Sequence, residues 1–168
     1  MAEKRKRRSR QDRADFLLCL TDRLRLQLQS GEAIDGNSLT ISQGDIIRFG
    51  EATLDTQWIH CDPVRAKAES PFRGAIAHGF LLLSYIPYLV DLLDGKKYPE
   101  ANLVVNKGLR GASFLKPVKA GSIISATSKV VSVEPSGKGL EILEEVVIRS
   151  GSNDEISCIV TVELLLIP

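Results

Sequence analysis

Histidine chemistry in this chain of 168 residues is confined to one segment, because its two histidines, His60 and His78, both lie between residues 55 and 84. Asp55 precedes His60 with four residues between them. An imidazole exchanges a proton near neutral pH, and a carboxylate orients a water or accepts its proton, so the pair suits acid–base chemistry. The spacing alone is weak, since such a pair is more often a surface contact or a local hydrogen bond.

The other polar residues of this segment have simpler interpretations. His78 is expected to be structural, satisfying backbone groups at the start of a buried helix, and Asp62 to cap the turn that follows Pro63. Cys61 is expected to be a packing residue, because no second basic group is placed to activate its thiol. No metal site is predicted at His60, Cys61 and Asp62, since adjacent residues seldom converge on one ion. No cofactor is predicted either.

Composition excludes several other classes of protein. With 43% hydrophobic and 26% charged residues, the chain has the composition of one globular domain. Its longest apolar stretch, from Phe80 to Leu93, is shorter than the ~20 residues that span a bilayer. Three widely spaced cysteines without a CxxC pair favour a reducing, cytoplasmic setting. A Gly-rich phosphate loop, GxSxG and HExxH are all absent from the sequence.

The N-terminal segment is distinct from the rest. Residues 1–13 carry seven Lys or Arg against Glu3 and Asp12, a charge of +5 that leaves −4 elsewhere. Short basic runs are usually solvated, and no aromatic residue is interleaved for base stacking, so binding of nucleic acid is not favoured. Residues 12–30 have helical apolar spacing, Gly31 ends that helix, and residues 33–39 resemble a linker. The expected division is 1–37, a basic tail and helix, and 38–168, the main domain.

The elements that position the histidines are predicted from periodicity and turn residues. Residues 40–53 should form a short strand and a helix capped by Ser42, followed by a loop with Asp55 and His60. A helical turn is expected at 64–68, and a buried helix from 78 or 79 to 93, mildly kinked at Pro87. Strand-like blocks follow at 101–105, 109–115, 122–133, 140–149 and 155–167. An antiparallel sheet wrapped around one helix is an α+β arrangement.

The strongest signal is a family resemblance. The stretch DTQWIHCDP at residues 55–63, followed by PF at 71–72 and AIAHGF at 75–80, resembles the hydratase motif of MaoC-like dehydratases and (R)-specific enoyl-CoA hydratases. QWIH at 57–60 and AHGFL at 77–81 are most similar to the NodN-like branch. NKGLR at 106–110, with Phe114 and Pro117-Val118, is similar to the strand after the central helix.

The resemblance covers residues 38–168 and implies a hot-dog fold, an antiparallel sheet around a long central helix that begins near Gly79. It implies a homodimer or higher homo-oligomer with the site near the subunit interface. By the resemblance, Asp55 and His60 hold and activate water, and the Gly79 N–H binds the thioester oxygen, aided by the helix dipole. Asn106 either reaches the site or makes a structural hydrogen bond. Leu54 stands where relatives commonly have glycine.

The implied activity is reversible hydration of trans-2-enoyl-CoA to 3-hydroxyacyl-CoA, with CoA or a carrier protein bearing the acyl thioester. Two alternatives use the same fold. An acyl-CoA thioesterase would direct the water at the carbonyl carbon and release free thiol. A non-catalytic acyl-thioester-binding protein would bind ligand without turnover, and its binding would survive Asp55→Asn.

Overall fold

The structure is a computed structural model that describes residues 10–93 and 96–168. Residues 1–9, which hold most of the predicted basic tail, lie outside that range. Six helices and five strands are described, and their order places all the helices before the long strands: α1 Arg10–Ser30, β1 Ile34–Thr40, α2 Gln43–Thr53, α3 Trp58–Cys61, α4 Pro63–Glu69, α5 Gly79–Ser84, α6 Ile86–Leu89, β2 Leu103–Phe114, β3 Ile123–Ser136, β4 Gly139–Ser150 and β5 Glu155–Ile167.

The five strands form one antiparallel sheet in the order β1-β3-β4-β5-β2. Alternate residues of β3 and β4, such as Ile124, Ala126, Val146 and Ile148, are buried and their neighbours are partly exposed. This period of two gives the sheet one apolar face, on which the helices pack. The predicted α+β architecture with an antiparallel sheet is confirmed.

The strand blocks predicted after the central helix correspond closely to the observed strands, with one merger. The blocks at 101–105 and 109–115 are a single strand, β2, which stays paired with β5 throughout. Its register shifts between Asn106 and Gly108 and again between Leu109 and Gly111. Such bulges insert extra residues without ending the pairing, and they interrupt the alternation from which a continuous strand is recognised.

The linker predicted at residues 33–39 is wrong, because Ile34–Thr40 is strand β1, paired with β3. Its polar composition suits its position at the edge of the sheet. Gly36 lies against the end of α6, where a Cβ would overlap the Leu89 carbonyl. The Asn37 amide donates to the Tyr88 carbonyl at 2.8 Å. The residues that resembled a linker are therefore the contact between the edge strand and α6.

Helix α1 confirms the predicted helix and its end at Gly31, which has a φ of 62°. Leu20 and Leu24 have no exposed surface and belong to the same core as the sheet. The apolar stripe is incomplete at its C-terminal end, since Leu28 is 39% exposed. Helix α1 thus covers part of β3 and β4. The division of the chain at residues 37 and 38 stays a prediction.

The central helix is shorter than predicted. The expected single helix from residue 79 to 93 is two pieces, α5 and α6, separated at Tyr85, and it ends at Leu89. Pro87 has no N–H to donate to the Leu83 carbonyl, which accounts for the interruption at this point. Asp91, with a φ of 59°, turns the chain away from the helical direction.

A buried polar cluster anchors the chain that follows α6. Glu144 of β4 has no exposed surface, and the Lys97 ammonium lies 2.9 Å from its carboxylate. Lys97 also donates to the Ser128 hydroxyl at 2.5 Å, and the Tyr98 hydroxyl donates to Glu144. Burial, and then the charge of Glu144, raise the pKa of Tyr98 well above its usual value, so the phenol stays a donor.

Among the described residues, no helix is both long enough and apolar enough to cross a membrane.

Candidate active site

Asp55 and His60 are positioned by the turn that ends helix α2 and by the short helix α3. Helix α2 ends at Leu54, which has a φ of 62° and a ψ of 16°. This left-handed turn leads directly into Asp55, and it explains why glycine is suited to position 54. His60 lies in the four-residue helix α3, which replaces the predicted loop. Gln43 supports that helix by donating to the His60 carbonyl at 2.7 Å.

The His60 ring is held in one tautomer. Its Nδ1 lies 2.7 Å from the Ile76 carbonyl oxygen, which only accepts, so Nδ1 carries the proton. In the neutral ring Nε2 therefore has a free lone pair. Burial lowers the pKa of His60 from its ordinary 6.5, the hydrogen bond to Ile76 opposes this, and the charges of His78 and Asp55 act in opposite directions. His60 is thus a neutral base at pH 7.

His78 stacks on His60 with ring centroids 3.9 Å apart and planes at 28°. Only 3% of His78 is exposed, and its Nε2 donates to the Asp55 backbone carbonyl at 2.9 Å. The side chain makes no capping bond to α5, so the expectation that it serves local backbone groups is wrong. Its Nδ1 is buried and has no hydrogen-bond partner among the described residues.

A carboxylate oxygen of Asp55 and one ring nitrogen each of His60 and His78 lie within 4.8 Å of one another. A water that makes hydrogen bonds of about 2.8 Å in tetrahedral directions has partners roughly 4.6 Å apart. Among these three residues, the Asp55 and His60 groups are therefore spaced to share one water. The three residues also have the ligand types of a metal site, but imidazole lone pairs lie in the ring planes, and stacked rings do not direct them at one ion.

An apolar cavity of about 280 Å³ lies beside His60. It is lined by His60, Gly79, Phe72, Ile76, Ala77, Leu82, Phe114, Leu115, Lys116, Pro117 and Val118. Asp55 is partly exposed and is not part of this lining. The cavity thus gives an apolar ligand access to His60 and to the first residue of α5.

Gly79 and Phe114 are in close contact at this cavity. A Cβ on Gly79 would lie 2.9 Å from Cζ of Phe114, so the ring rests directly on the glycine. The Gly79 N–H is the first of α5 and is not used by any described hydrogen bond. Since α5 has six residues, little aligned dipole is available, and the N–H itself is the useful group.

The other polar residues that the sequence singled out lie outside this cavity or have structural roles. Asn106 lines a separate cavity of about 330 Å³, beside Phe80 and Ser84, and is not among the residues that line the cavity at His60. Asp62 caps α4 as predicted, accepting from the Arg65 N–H at 2.9 Å. Burial, followed by the nearby carboxylates, raises the pKa of Cys61, so its thiol is not activated. Neither the Ile76 carbonyl nor the Phe114 ring carried a signal that assigned it to the site.

Comparison with known proteins gives consistent matches. Residues 26–148 match the family described as MaoC like domain. The 3-hydroxyacyl-thioester dehydratase Z of Mycobacterium tuberculosis is 41% identical over 115 residues, 68% of this chain and 74% of that protein. Nodulation protein N of Rhizobium meliloti is 45% identical over 84 residues, 50% of this chain and 52% of that protein. An (R)-hydratase structure from A. caviae has a TM-score of 0.65 at 21% identity, covering 80% of this chain and 94% of that chain.

Proposed function

The chain belongs to the MaoC-like domain family and has the hot-dog fold, and from that premise we propose that it is a hydratase or dehydratase acting on an acyl thioester. The specific reaction we propose is the reversible hydration of trans-2-enoyl-CoA to 3-hydroxyacyl-CoA. The similar mycobacterial protein, named a 3-hydroxyacyl-thioester dehydratase, supports this reaction class. The observation that carries the proposal is the fixed tautomer of His60, which leaves a basic nitrogen on a residue that lines an apolar cavity.

The residues supply each part of this reaction. Asp55 and His60 hold a water, whose oxygen forms a bond to the β-carbon as the carbon–carbon double bond opens. The water loses a proton to Nε2 of His60, and His60 then gives a proton to the α-carbon, so the elements of one water are added and His60 returns to its neutral form. Negative charge builds on the thioester oxygen in between. The unused Gly79 N–H is the donor we assign to that oxygen.

The first test is a crotonyl-CoA assay with the wild type, Asp55→Asn and His60→Ala. We expect the wild type to remove the absorbance of the conjugated thioester without releasing CoA thiol. Each variant should be at least about 100-fold slower, the usual scale of acid–base catalysis. Thiol released in proportion to acyl-CoA would favour the thioesterase. Binding without turnover of short or longer enoyl thioesters would favour the non-catalytic protein.

We further propose a homodimer or higher homo-oligomer in a reducing, cytoplasmic compartment. Large apolar side chains near the cavity are exposed, Phe80 by 69%, Leu115 by 55% and Phe114 by 47%, which supports a covered surface. The three cysteines are free thiols, which suits a reducing setting. Light scattering would measure the mass in solution, and a monomer at assay concentration would contradict the oligomer. Parallel assays with CoA and carrier-protein thioesters would identify the acyl carrier.

A further inference from the structure

The His78 side chain forms its hydrogen bond with the segment that contains Asp55 and His60, and not with its own helix, α5. Its hydrogen bond reaches the carbonyl of Asp55, 23 residues earlier in the chain. The other ring nitrogen, Nδ1, is buried without a partner among the described residues, which costs free energy, so the bond to Asp55 is the one described hydrogen bond that offsets the burial of this ring. The bond it makes fixes the backbone of a residue whose side chain is proposed to hold the water.

The two histidines form a reciprocal clamp between their segments. His60 donates to the carbonyl of Ile76, two residues before His78, and His78 donates to the carbonyl of Asp55, five residues before His60. A backbone bond of 3.1 Å from the Ile76 N–H to the Ile59 carbonyl lies between them. The stacked rings close this arrangement, with the Phe49 ring 5.2 Å from His78.

From this geometry we propose that His78 is a positioning residue, which fixes Asp55 relative to His60 through its hydrogen bond to the Asp55 carbonyl. The inference rests on the proposed hydratase function. It assigns His78 no contact with substrate. Misplacing a reacting group by about 1 Å can cost on the order of 100-fold in rate, so a single backbone bond at this position has a measurable effect.

Two substitutions separate the hydrogen bond from the ring. His78→Phe keeps a stacked aromatic ring and removes the donor, whereas His78→Gln offers an amide N–H near the position of Nε2 and removes the stack. We expect the kcat of His78→Phe to fall on the order of 10- to 100-fold, with KM changed less than about threefold. His78→Gln should recover most of that kcat. Thermal unfolding of both variants shows whether they are folded.

Either of two kinetic results would overturn the proposal: a wild-type kcat in His78→Phe, or equal losses in both variants, which would indicate packing alone. If the wild type itself does not hydrate enoyl thioesters, the proposed function fails and the positioning role fails with it. A second measurement tests the geometry without turnover. Only two imidazoles are present, so their NMR spectra at pH 7.5 are simple to assign.

The expected spectrum shows a proton on a different ring nitrogen in each of the two histidines. His60 should carry its proton on Nδ1, facing Ile76, and His78 should carry its proton on Nε2, facing Asp55. A proton on Nδ1 alone in His78 would contradict the hydrogen bond and the proposal together. An inactive wild type with the expected tautomers would instead show that the clamp exists and that the proposed reaction is wrong.

Discussion

Gly50 offers a way to disturb the clamp without altering any residue of the proposed chemistry. It is buried in α2, and a Cβ there would lie 2.8 Å from the Asp55 carbonyl oxygen and 2.8 Å from Sγ of Cys61. The same Cβ would lie 3.4 Å from Cε1 of His78. Ordinary contacts are about 3.5 Å, so in Gly50→Ala the Asp55 carbonyl must retreat by roughly 0.5 Å or more.

Gly50→Ala is expected to lower both the rate and the stability, by comparable free energies, since a tenfold change in rate is about 1.4 kcal/mol. A displacement of this size should lower kcat on the order of tenfold, if about 1 Å costs on the order of 100-fold. Overpacking costs about 1–3 kcal/mol, and replacing a helical glycine by alanine returns about 1 kcal/mol. The free energy of unfolding of Gly50→Ala should therefore fall by only about 0–2 kcal/mol.

A matched control lies in the same helix. At Gly44 the atoms nearest to a new Cβ are side-chain atoms of Arg48 and Ser42, at 3.4 and 3.6 Å. Gly44→Ala should keep the wild-type kcat and gain up to about 1 kcal/mol of stability. Initial rates with crotonyl-CoA and denaturant unfolding measure both quantities. A wild-type kcat in Gly50→Ala would refute the reasoning, because it would mean that the Asp55 carbonyl can move without affecting the reaction.

Two further predictions concern pH and backbone strain. Because burial lowers the pKa of His60 below 6.5, the unfolded chain takes up its proton first as pH falls. The contribution of His60 to stability is therefore present above pH 6.5 and is lost as the pH falls below 6.5. The fall of kcat/KM on the acid side of the pH profile should also have its midpoint below pH 6.5. A midpoint above 6.5 would exclude neutral His60 as the base. Leu54→Gly should stabilise the fold by about 0.5–1 kcal/mol, as left-handed strain of about 1–2 kcal/mol exceeds the entropy cost of glycine. Leu54 is 87% exposed, so lower stability in denaturant would contradict this.

The sheet could be predicted from sequence because its signals are local. The blocks at 122–133, 140–149 and 155–167 alternate apolar and polar residues, and each became one strand. Strand β1 was missed because residues such as Gly36 and Asn37 have low strand propensity. They suit the contact with α6 instead. The break of the central helix at Tyr85 was missed because Pro87 was expected only to bend it.

The residues of the candidate site could be predicted from the sequence where the residue type itself indicates a role. Asp55, His60 and Gly79 were identified from a motif, and the structure puts His60 and Gly79 on one cavity, with the Asp55 carboxylate near His60. The partners that fix the two rings are backbone carbonyls, and any residue can supply a carbonyl. The residue types at positions 55 and 76 therefore do not predict those hydrogen bonds.

This difference bears on how the site resists substitution. Replacing Ile76 by another apolar residue keeps its carbonyl, so the tautomer of His60 does not depend on that side chain. Replacing either histidine, in contrast, removes one of the two side-chain hydrogen bonds that join the same pair of segments. The effects of the two changes on the position of Asp55 should not add, because the first already loosens the contact that the second would break. Any loss of rate in a His78 variant is therefore expected to become smaller once His60 is absent.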